Sequence, residues 1–338
     1  VLACYLPELY AAECFVTEKL LKMLQFPYDR HGQVDKIIRE MEMTQGIRYA
    51  PLQKEAVLLA AQSGVLLLTG GPGTGKTTAT RAIVRLFEIM GLDILLLAPT
   101  GRAAKRMSEL CGREAQTIHR ALGMSFNDLT GQVTYKKGVN EPLEADAVLV
   151  DEMSMVDLPL MQALLAALRP GCRLVMIGDA DQLPSVGAGN VFSDMIRSGR
   201  IPRVALTEVF RQADESYIIR NAHAVNHGEA PDLKTNKGDF FFLCRRTTER
   251  MVSTVVELCK TRLPEKMGIP PEDIQVLTPT RRGACGTMNL NRCLQAALNP
   301  PSRVKNEKQF GDLIFREGDR IMQTRNNYDV MWEKDDGT

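Results

Sequence analysis

The sequence predicts an α/β fold in which helices cover both faces of a parallel β-sheet. Two observations support this prediction. Short segments of consecutive apolar residues recur from residue 65 onward, and segments with the apolar spacing of a helix separate them. A strand that is apolar on consecutive residues is buried on both faces, as parallel strands are between two layers of helices.

The predicted elements follow in a regular order. Residues 9–43 have helical apolar spacing, and residues 1–46 are therefore expected to form a helical lead-in. Residues 47–228 are expected to form the first sheet domain. Its expected strands are 65–68, 94–97, 147–150, 174–177 and 204–206, with helices at 78–90, 102–111 and 158–168. Turn residues followed by alternating apolar positions at about 123–145 predict a small β-hairpin insertion.

A second α/β unit is expected in residues 229–338, because the pattern of strand and helix resumes after a polar segment. Its expected strands are 240–243 and 274–278, and its expected helices are 249–261 and 288–298. These residues therefore predict part of a second domain of the same class.

Amino-acid composition and charge narrow the class of protein to which the chain can belong. The 338 residues are 44% hydrophobic and 25% charged, as in a soluble globular protein large enough for two cores. Lys and Arg number 42 and Asp and Glu 41, so any surface for nucleic acid has to be a local groove. No apolar segment has the length of a transmembrane helix, and we expect a cytoplasmic protein without a membrane partner.

The first predicted strand leads into a glycine-rich loop. The loop reads Gly70-Gly71-Pro72-Gly73-Thr74-Gly75-Lys76-Thr77-Thr78, which matches the pattern G-x-x-x-x-G-K-[ST]. Its glycines let backbone N–H groups turn inward around phosphate oxygens, Lys76 reaches the β- and γ-phosphates, and the Thr77 hydroxyl is a Mg²⁺ ligand. Because a strand precedes the loop and a helix is expected after it, we interpret the chain as a P-loop NTPase.

Polar residues follow two further predicted strands. Asp151 and Glu152 come directly after 147–150, where Asp151 can hold Mg²⁺ and Glu152 can orient an attacking water. Adjacent acids at this point favour hydrolysis over transfer of the phosphate to a second substrate. The alternative is that the two acids have no functional role and are simply a solvated pair at a strand end. After 174–177, a polar loop places Gln182 at the carboxyl edge of the sheet, where it can sense the γ-phosphate.

Taken in order, these segments resemble the RecD-like helicases of superfamily 1B, a group that includes the alpha subunit of exodeoxyribonuclease V. The resemblance covers residue 49 to the end of the chain. It implies RecA-like domains, with ATP and Mg²⁺ as cofactors, and an SH3-like insertion that begins at 311–329. It also implies 5′→3′ translocation on single-stranded DNA, with ATP hydrolysis driving strand separation.

The resemblance assigns two further residues to the nucleotide. Gln53 matches the glutamine that reads the adenine ring, and Arg211 matches the arginine that stabilises the transferring phosphate. The sequence ends before the position of a second catalytic arginine. We therefore expect a fragment that binds nucleotide but does not unwind DNA on its own.

A surface for single-stranded DNA is expected on both α/β units. The segments at 98–106 and 116–122 resemble DNA-holding motifs, and the first combines hydroxyls, helix N-terminal amides and basic side chains that include Arg106. The segment at 278–283 repeats this design, and basic side chains that simply face water are the alternative. The expected DNA contacts are Pro99, Thr100, Arg102, Lys105, His119, Thr278, Thr280 and Arg281. The hairpin lies where these helicases carry the pin that splits a duplex.

Two other functions remain open at this stage. A non-enzymatic, ATP-gated single-strand-binding or regulatory subunit of a nuclease or repair complex would need the same loop and basic residues. An RNA helicase is a second alternative, because backbone contacts do not exclude a 2′-hydroxyl. For the helicase, the expected partners are single-stranded DNA, duplex junctions and the subunits of a nuclease and helicase complex in the bacterial cytoplasm.

Overall fold

The computed structural model describes residues 4–26, 28, 33–127, 132–207, 216–235 and 238–322. The chain divides into two compact units, Val1–Phe241 and Phe242–Thr338. No helix in these described ranges is long and apolar enough to cross a membrane.

The first unit is built on a six-stranded sheet in which every pair is parallel, and the predicted α/β fold is confirmed. Its strands are β1 (Val65–Gly70), β2 (Ile94–Ala98), β3 (Ala115–Thr117), β6 (Ala147–Val150), β7 (Arg173–Gly178) and β8 (Arg203–Leu206). Their order is β3-β2-β6-β7-β1-β8. Strand β1 is therefore an interior strand next to the edge strand β8, with Leu67 opposite Met176 of β7 and Arg203 of β8.

Helices cover both faces of this sheet. The described helices of the first unit are α1 (Pro7–Gln25), α2 (Val34–Gln45), α3 (Pro51–Gln62), α4 (Lys76–Ile89), α5 (Gly101–Cys111), α6 (Ile118–Ala121), α7 (Leu158–Ala167), α8 (Val191–Ser198) and α9 (Tyr217–Asn226). Residues of α1, α7 and α8 form one core cluster, and residues of α2 to α5 form the other. The lead-in helices are thus part of the first unit.

The core explains the consecutive apolar pattern of the strands. In β1, Val65 and Leu67 belong to one cluster, and Leu66 and Leu68 belong to the other. Successive side chains of a strand point to opposite faces, so each residue enters one of two buried layers. Burying each leucine contributes about 1.5–3 kcal/mol, which stabilises the strand that leads into the glycine-rich loop.

The predicted β-hairpin is confirmed at the edge of the first unit. Strands β4 (Met124–Asn127) and β5 (Gln132–Tyr135) pair antiparallel, with Met124 opposite Tyr135. The Oγ of Ser125 and Oγ1 of Thr134 lie 2.7 Å apart across the pair. Its proposed use as a pin stays a prediction.

The first unit extends beyond the domain boundary expected after residue 228. Asn221 of α9 exchanges two hydrogen bonds with Asp232, of 3.2 Å from its Nδ2 to the Asp232 carbonyl and 2.8 Å from the Asp232 N–H to its Oδ1. The carboxylate of Asp239 also accepts hydrogen bonds from Ser216 Oγ and the Ile218 N–H. These bonds hold Asp232 and Asp239 against α9.

The second unit contains helices and one hairpin among its described residues. Its helices are α10 (Thr248–Glu257), which continues as a π-helical turn at Leu258–Arg262, α11 (Leu263–Met267) and α12 (Thr287–Leu298). Strands β9 (Glu307–Phe310) and β10 (Leu313–Arg316) pair antiparallel. The Asp319 carboxylate accepts from Asn299 Nδ2 at 2.8 Å and from the Arg316 N–H at 2.7 Å, which joins the hairpin to the end of α12.

The strands predicted at 240–243 and 274–278 are wrong. The structure describes both segments without a β-ladder. An extended segment becomes a strand only when a neighbouring strand pairs with its N–H and C=O groups, and no described strand pairs with either segment. The Ile274 carbonyl instead accepts from Nη1 of Arg320 at 3.4 Å. Apolar side chains such as Phe242 and Leu277 consequently remain exposed. A partial second RecA-like domain stays a prediction.

Candidate nucleotide-binding site

The glycine-rich loop joins the interior strand β1 to helix α4. Gly75 has the left-handed conformation, with φ 83°, and α4 begins at the next residue, Lys76. Glycine adopts this conformation without the steric cost of a Cβ atom. The unpaired N–H groups in the first turn of α4 and the positive end of its dipole therefore face the loop, an arrangement that binds anions.

Lys76 is folded back onto the loop. Its Nζ donates to the carbonyl oxygens of Gly70 and Gly71, at 3.0 Å for Gly71. Burial lowers the pKa of the ammonium, and the carboxylates of Asp179, Asp151 and Glu152 oppose this effect. Because a buried ammonium binds anionic oxygens more strongly than neutral carbonyls, phosphate oxygens would replace the two carbonyls as its partners.

The two acids lie at the end of β6. Oδ1 of Asp151 accepts from the backbone N–H of Glu152 at 2.8 Å. Among the described residues, Glu152 is the only non-glycine with a positive φ, 54°. Burial raises the pKa of both carboxyl groups, and the charge of Asp151 raises that of Glu152 further. A bound cation would offset the desolvation of both acids.

Gln182 lies in the loop that follows β7. Its Oε1 accepts from Oγ of Ser154 at 3.4 Å, and Ser154 belongs to the 3₁₀ turn directly after the two acids. At the start of the same loop, Asp179 is 5% exposed and its Oδ1 accepts from the Asp181 N–H at 3.0 Å. The side chain of Gln182 is thereby connected to the segment that carries Asp151 and Glu152.

These residues surround one cavity of about 500 Å³. The predicted residues that line it are Gly71, Pro72, Gly73, Thr74, Gly75, Lys76, Thr77, Asp151, Glu152 and Gln182. The lining also includes residues that sequence reasoning left without a nucleotide role, namely Thr80, Ala103, Arg106, Met107, Leu110, Cys111, Ile177, Gly178 and Asp179. Asp179 carries the same signal as Asp151, an acid directly after a buried strand, and could have been found from it.

Gln53 and Thr78, both predicted nucleotide contacts, are not among the residues that line the cavity. Gln53 is 2% exposed, its Oε1 accepts from the Ala50 N–H at 3.0 Å, and its Nε2 donates to the Gly75 carbonyl at 3.3 Å. Gln53 thus supports the loop from behind. Its role in reading adenine stays a prediction, and Arg211 lies outside the described residues.

His223 of α9 contacts the loop, which no spacing in the sequence indicates. A Cβ atom added to Gly71 would lie 3.3 Å from Cε1 of His223. The Nε2 atom of His223 is buried and has no hydrogen-bond partner among the described residues. The imidazole therefore packs closely on the loop, and a Cβ atom at residue 71 would be in tight contact with it.

The predicted DNA contacts of the first unit lie around α5 and α6. Oγ1 of Thr100 accepts from the Ala103 N–H at 3.3 Å and caps α5. Arg102 and Lys105 are exposed on that helix, next to the half-buried Pro99. His119 is half-buried, and burial lowers the pKa of its imidazole while Asp157 opposes this. Arg102 and Lys105 are thus free to meet a phosphate, whereas His119 is less accessible.

The corresponding residues of the second unit form the loop before α12. Oγ1 of Thr278 donates to the Cys285 carbonyl at 2.6 Å, which closes the loop. The carbonyls of Thr280 and Arg281 accept from the first N–H groups of α12, at 3.1 Å from Thr287 and 3.2 Å from Met288. The Arg281 side chain is exposed. A basic side chain is therefore presented beside the start of a helix, as it is on α5.

The sheet, its glycine-rich loop and the two acids at the end of β6 define a P-loop NTPase. Comparison with known proteins agrees with this class. The family described as AAA domain matches residues 48–239, and the family described as ATP-dependent RecD-like DNA helicase SH3 domain matches residues 290–331. The chain therefore belongs to the AAA-domain family, and its resemblance to the RecD-like helicases is confirmed.

The chain is similar to two curated proteins and to one solved structure. The chain is 36% identical over 327 residues to the ATP-dependent RecD2 DNA helicase of Deinococcus radiodurans. This alignment covers 96% of this chain and 42% of that protein. It is 37% identical to RecBCD enzyme subunit RecD of Haemophilus influenzae over 53% of this chain and 30% of that protein. A crystal structure of Pif1 helicase from Candida albicans is 23% identical, with a TM-score of 0.39 over 62% of this chain and 55% of that one. The chain thus spans less than half the length of both curated relatives.

Proposed function

We propose that this chain is the motor part of an ATP-dependent DNA helicase that moves 5′→3′ along single-stranded DNA. The observation that carries the proposal is the cavity that combines the phosphate-binding loop with Lys76, two acids and Gln182. The relatives named as DNA helicases support it. Because the chain covers 42% of the Deinococcus relative, the activity is proposed for the full-length protein.

The residues of the cavity fit a nucleoside triphosphate with Mg²⁺. The loop N–H groups and Lys76 would hold the phosphates, while the Thr77 hydroxyl and the Asp151 carboxylate would hold the metal. The desolvation that raises the pKa of Asp151 is the kind of cost that a cation ligand offsets. When bound, Mg²⁺ neutralises charge on the β- and γ-phosphates.

For hydrolysis, Glu152 is proposed to orient a water and accept its proton. Lys76 would neutralise charge that develops on the phosphate being transferred. Gln182 would report the presence of the γ-phosphate to the turn at Ser154, to which it is hydrogen-bonded. Arg211 is proposed as a second cation for that phosphate, on the basis of the family motif alone.

For DNA, the exposed Arg102, Lys105 and Arg281 are proposed to bind phosphates without reading sequence. The β4–β5 hairpin is proposed to meet the duplex junction. Repeated ATP binding and hydrolysis would shift these contacts relative to one another and so move the strand.

The competing function is an ATP-gated single-strand-binding or regulatory subunit that does not turn over. The ATPase rate of the full-length protein, with and without single-stranded DNA, distinguishes the two. We expect DNA-stimulated hydrolysis and unwinding of duplexes with a 5′ tail. Binding of both ligands without stimulated hydrolysis would favour the regulatory subunit instead.

Residues 1–338 alone are expected to bind nucleotide with Mg²⁺ but not to unwind DNA. The reason is that the motor proposed here needs groups from a complete second domain. Extending the chain through the remainder of the protein should therefore restore turnover. Robust unwinding by residues 1–338 would contradict the two-domain mechanism.

A further inference from the structure

We propose that Arg106 binds the phosphate groups of the nucleotide, so that α5 contacts the nucleotide as well as DNA. The inference rests on the proposed function, because it assumes that the cavity holds a nucleoside triphosphate. The sequence pattern had placed Arg106 with the basic residues that face DNA. Its position in the structure indicates a different ligand.

The first argument is the face of α5 on which Arg106 lies. Five residues of this helix line the nucleotide cavity, and their spacing is i, i+3, i+4, i+7 and i+8: Ala103, Arg106, Met107, Leu110 and Cys111. This spacing defines one face of a helix. Arg106 is the only charged residue on that face, whereas Arg102 and Lys105 do not line the cavity.

The second argument is the surroundings of the guanidinium. The cavity that Arg106 lines is also lined by Lys76, Asp151 and Glu152. The side chains proposed to bind phosphate, hold the metal and act in hydrolysis thus border the same space as Arg106.

The third argument concerns the partners of the Arg106 side chain among the described residues. Within the described part of the chain, no hydrogen bond or ion pair engages its guanidinium. By comparison, Arg113, two residues beyond the end of α5, pairs with Glu88 at 3.5 Å. An arginine offers five N–H donors in a planar fork that matches phosphate oxygens. A triphosphate bound by the loop would bring such oxygens into the cavity that Arg106 lines.

The consequence is a direct connection between two ligands. The first turn of α5 carries Thr100 and Arg102, which are proposed to meet DNA, and the next turn carries Arg106. A shift of this helix on binding one ligand would change the contacts that it offers to the other. By linkage, each ligand would change the affinity for the other by the same factor.

The test compares single substitutions in the 338-residue chain. The measurements are the affinity for a fluorescent ATP analogue with Mg²⁺ and the affinity for a single-stranded oligonucleotide over a range of salt concentrations. Arg106→Ala should weaken nucleotide binding about tenfold or more, as expected for loss of charge-assisted hydrogen bonds. Arg106→Lys, which keeps the charge but not the fork, should lie between Arg106→Ala and the wild type.

Two controls make the outcome specific. Arg113→Ala removes a nearby cation outside the cavity and should leave nucleotide affinity unchanged. Lys105→Ala removes a cation from the same turn of α5 and should weaken DNA binding, with a reduction of the salt slope by about one charge. Melting temperatures near that of the wild type would show that the variants are folded.

Either of two results would overturn the inference. If the wild type binds nucleotide and Arg106→Ala binds it equally well, Arg106 is not a phosphate ligand although the proposed function survives. If, in addition, the salt dependence of single-strand binding by Arg106→Ala falls by about one charge, Arg106 is a DNA contact instead. If the wild type binds no nucleotide, the proposed function fails together with the inference.

Discussion

The backbone N–H of Glu152 donates to Oδ1 of Asp151 at 2.8 Å, while Glu152 itself is held in a left-handed conformation with φ 54° and ψ 42°. A non-glycine residue in this conformation costs about 1–3 kcal/mol, and such residues cluster at functional sites. The arrangement places two adjacent acids at the end of one buried strand. It links the backbone geometry of the site to its proposed chemistry.

The left-handed backbone of Glu152 predicts an unusual order of stabilities. Glu152→Gly should unfold with a free energy about 1 kcal/mol higher than that of Glu152→Ala, because glycine adopts a positive φ without steric cost. Urea unfolding of the two variants checks this prediction. An alanine variant as stable as the glycine variant would show that the strain is absent.

The carboxylate of Glu152 is predicted to act in hydrolysis rather than in binding. Glu152→Gln keeps the size of the side chain but removes the proton acceptor, so kcat of the full-length protein should fall by about 10²–10⁴. The dissociation constant for ATP should stay close to that of the wild type. A loss of affinity as large as the loss of turnover would instead assign Glu152 to the metal or the fold.

The contact between Gly71 and His223 predicts a coupling between two substitutions. Gly71→Ala would bring a Cβ atom within 3.3 Å of the imidazole, and His223→Ala would remove the atom that it meets. In a double-mutant cycle, the pair should show a favourable interaction energy of at least about 0.5 kcal/mol in stability. Simple additivity of the two effects would show that the imidazole does not confine the loop.

The exposed arginines are predicted to bind the DNA backbone. Arg102→Ala and Arg281→Ala should each weaken single-strand binding for all sequences and reduce the salt slope by about one charge. Arg85→Ala is a suitable control, because Arg85 pairs with Glu88 at 3.0 Å on α4. A loss confined to particular sequences would indicate base reading by these arginines.

The central strands could be predicted because they are buried on both faces. Each of the first four residues of β1, Val65 to Leu68, enters one of two cores, so this part of its sequence is apolar without interruption. Strand β3 was missed because Ala115–Thr117 has three half-buried residues at the sheet edge, too few for a pattern. The apolar residues at 274–278 led to a wrong strand prediction. A strand also requires a neighbouring strand to pair with, and the local sequence does not reveal whether one is present.

The candidate site divides in the same way. Lys76, Asp151 and Glu152 could be predicted because each directly follows a loop or strand whose pattern is local. The positions of Arg106 in the cavity lining and of His223 beside Gly71 could not be predicted, since they depend on how α5 and α9 pack. When a basic residue lies in a segment that resembles a DNA-holding motif, the local sequence does not indicate whether its side chain faces DNA or the nucleotide.

The most direct test of a nucleotide site is the melting temperature of residues 1–338 with and without ATP and Mg²⁺. A ligand that binds only the folded state adds about 2.7 kcal/mol at 100 times its dissociation constant, so the melting temperature should rise. Lys76→Ala should abolish most of the rise. The control is Lys54→Ala, which should retain the rise because the Lys54 ammonium of the wild type pairs with Glu42 at 2.9 Å. An unchanged melting temperature, or an equal rise in Lys76→Ala, would contradict the proposed site.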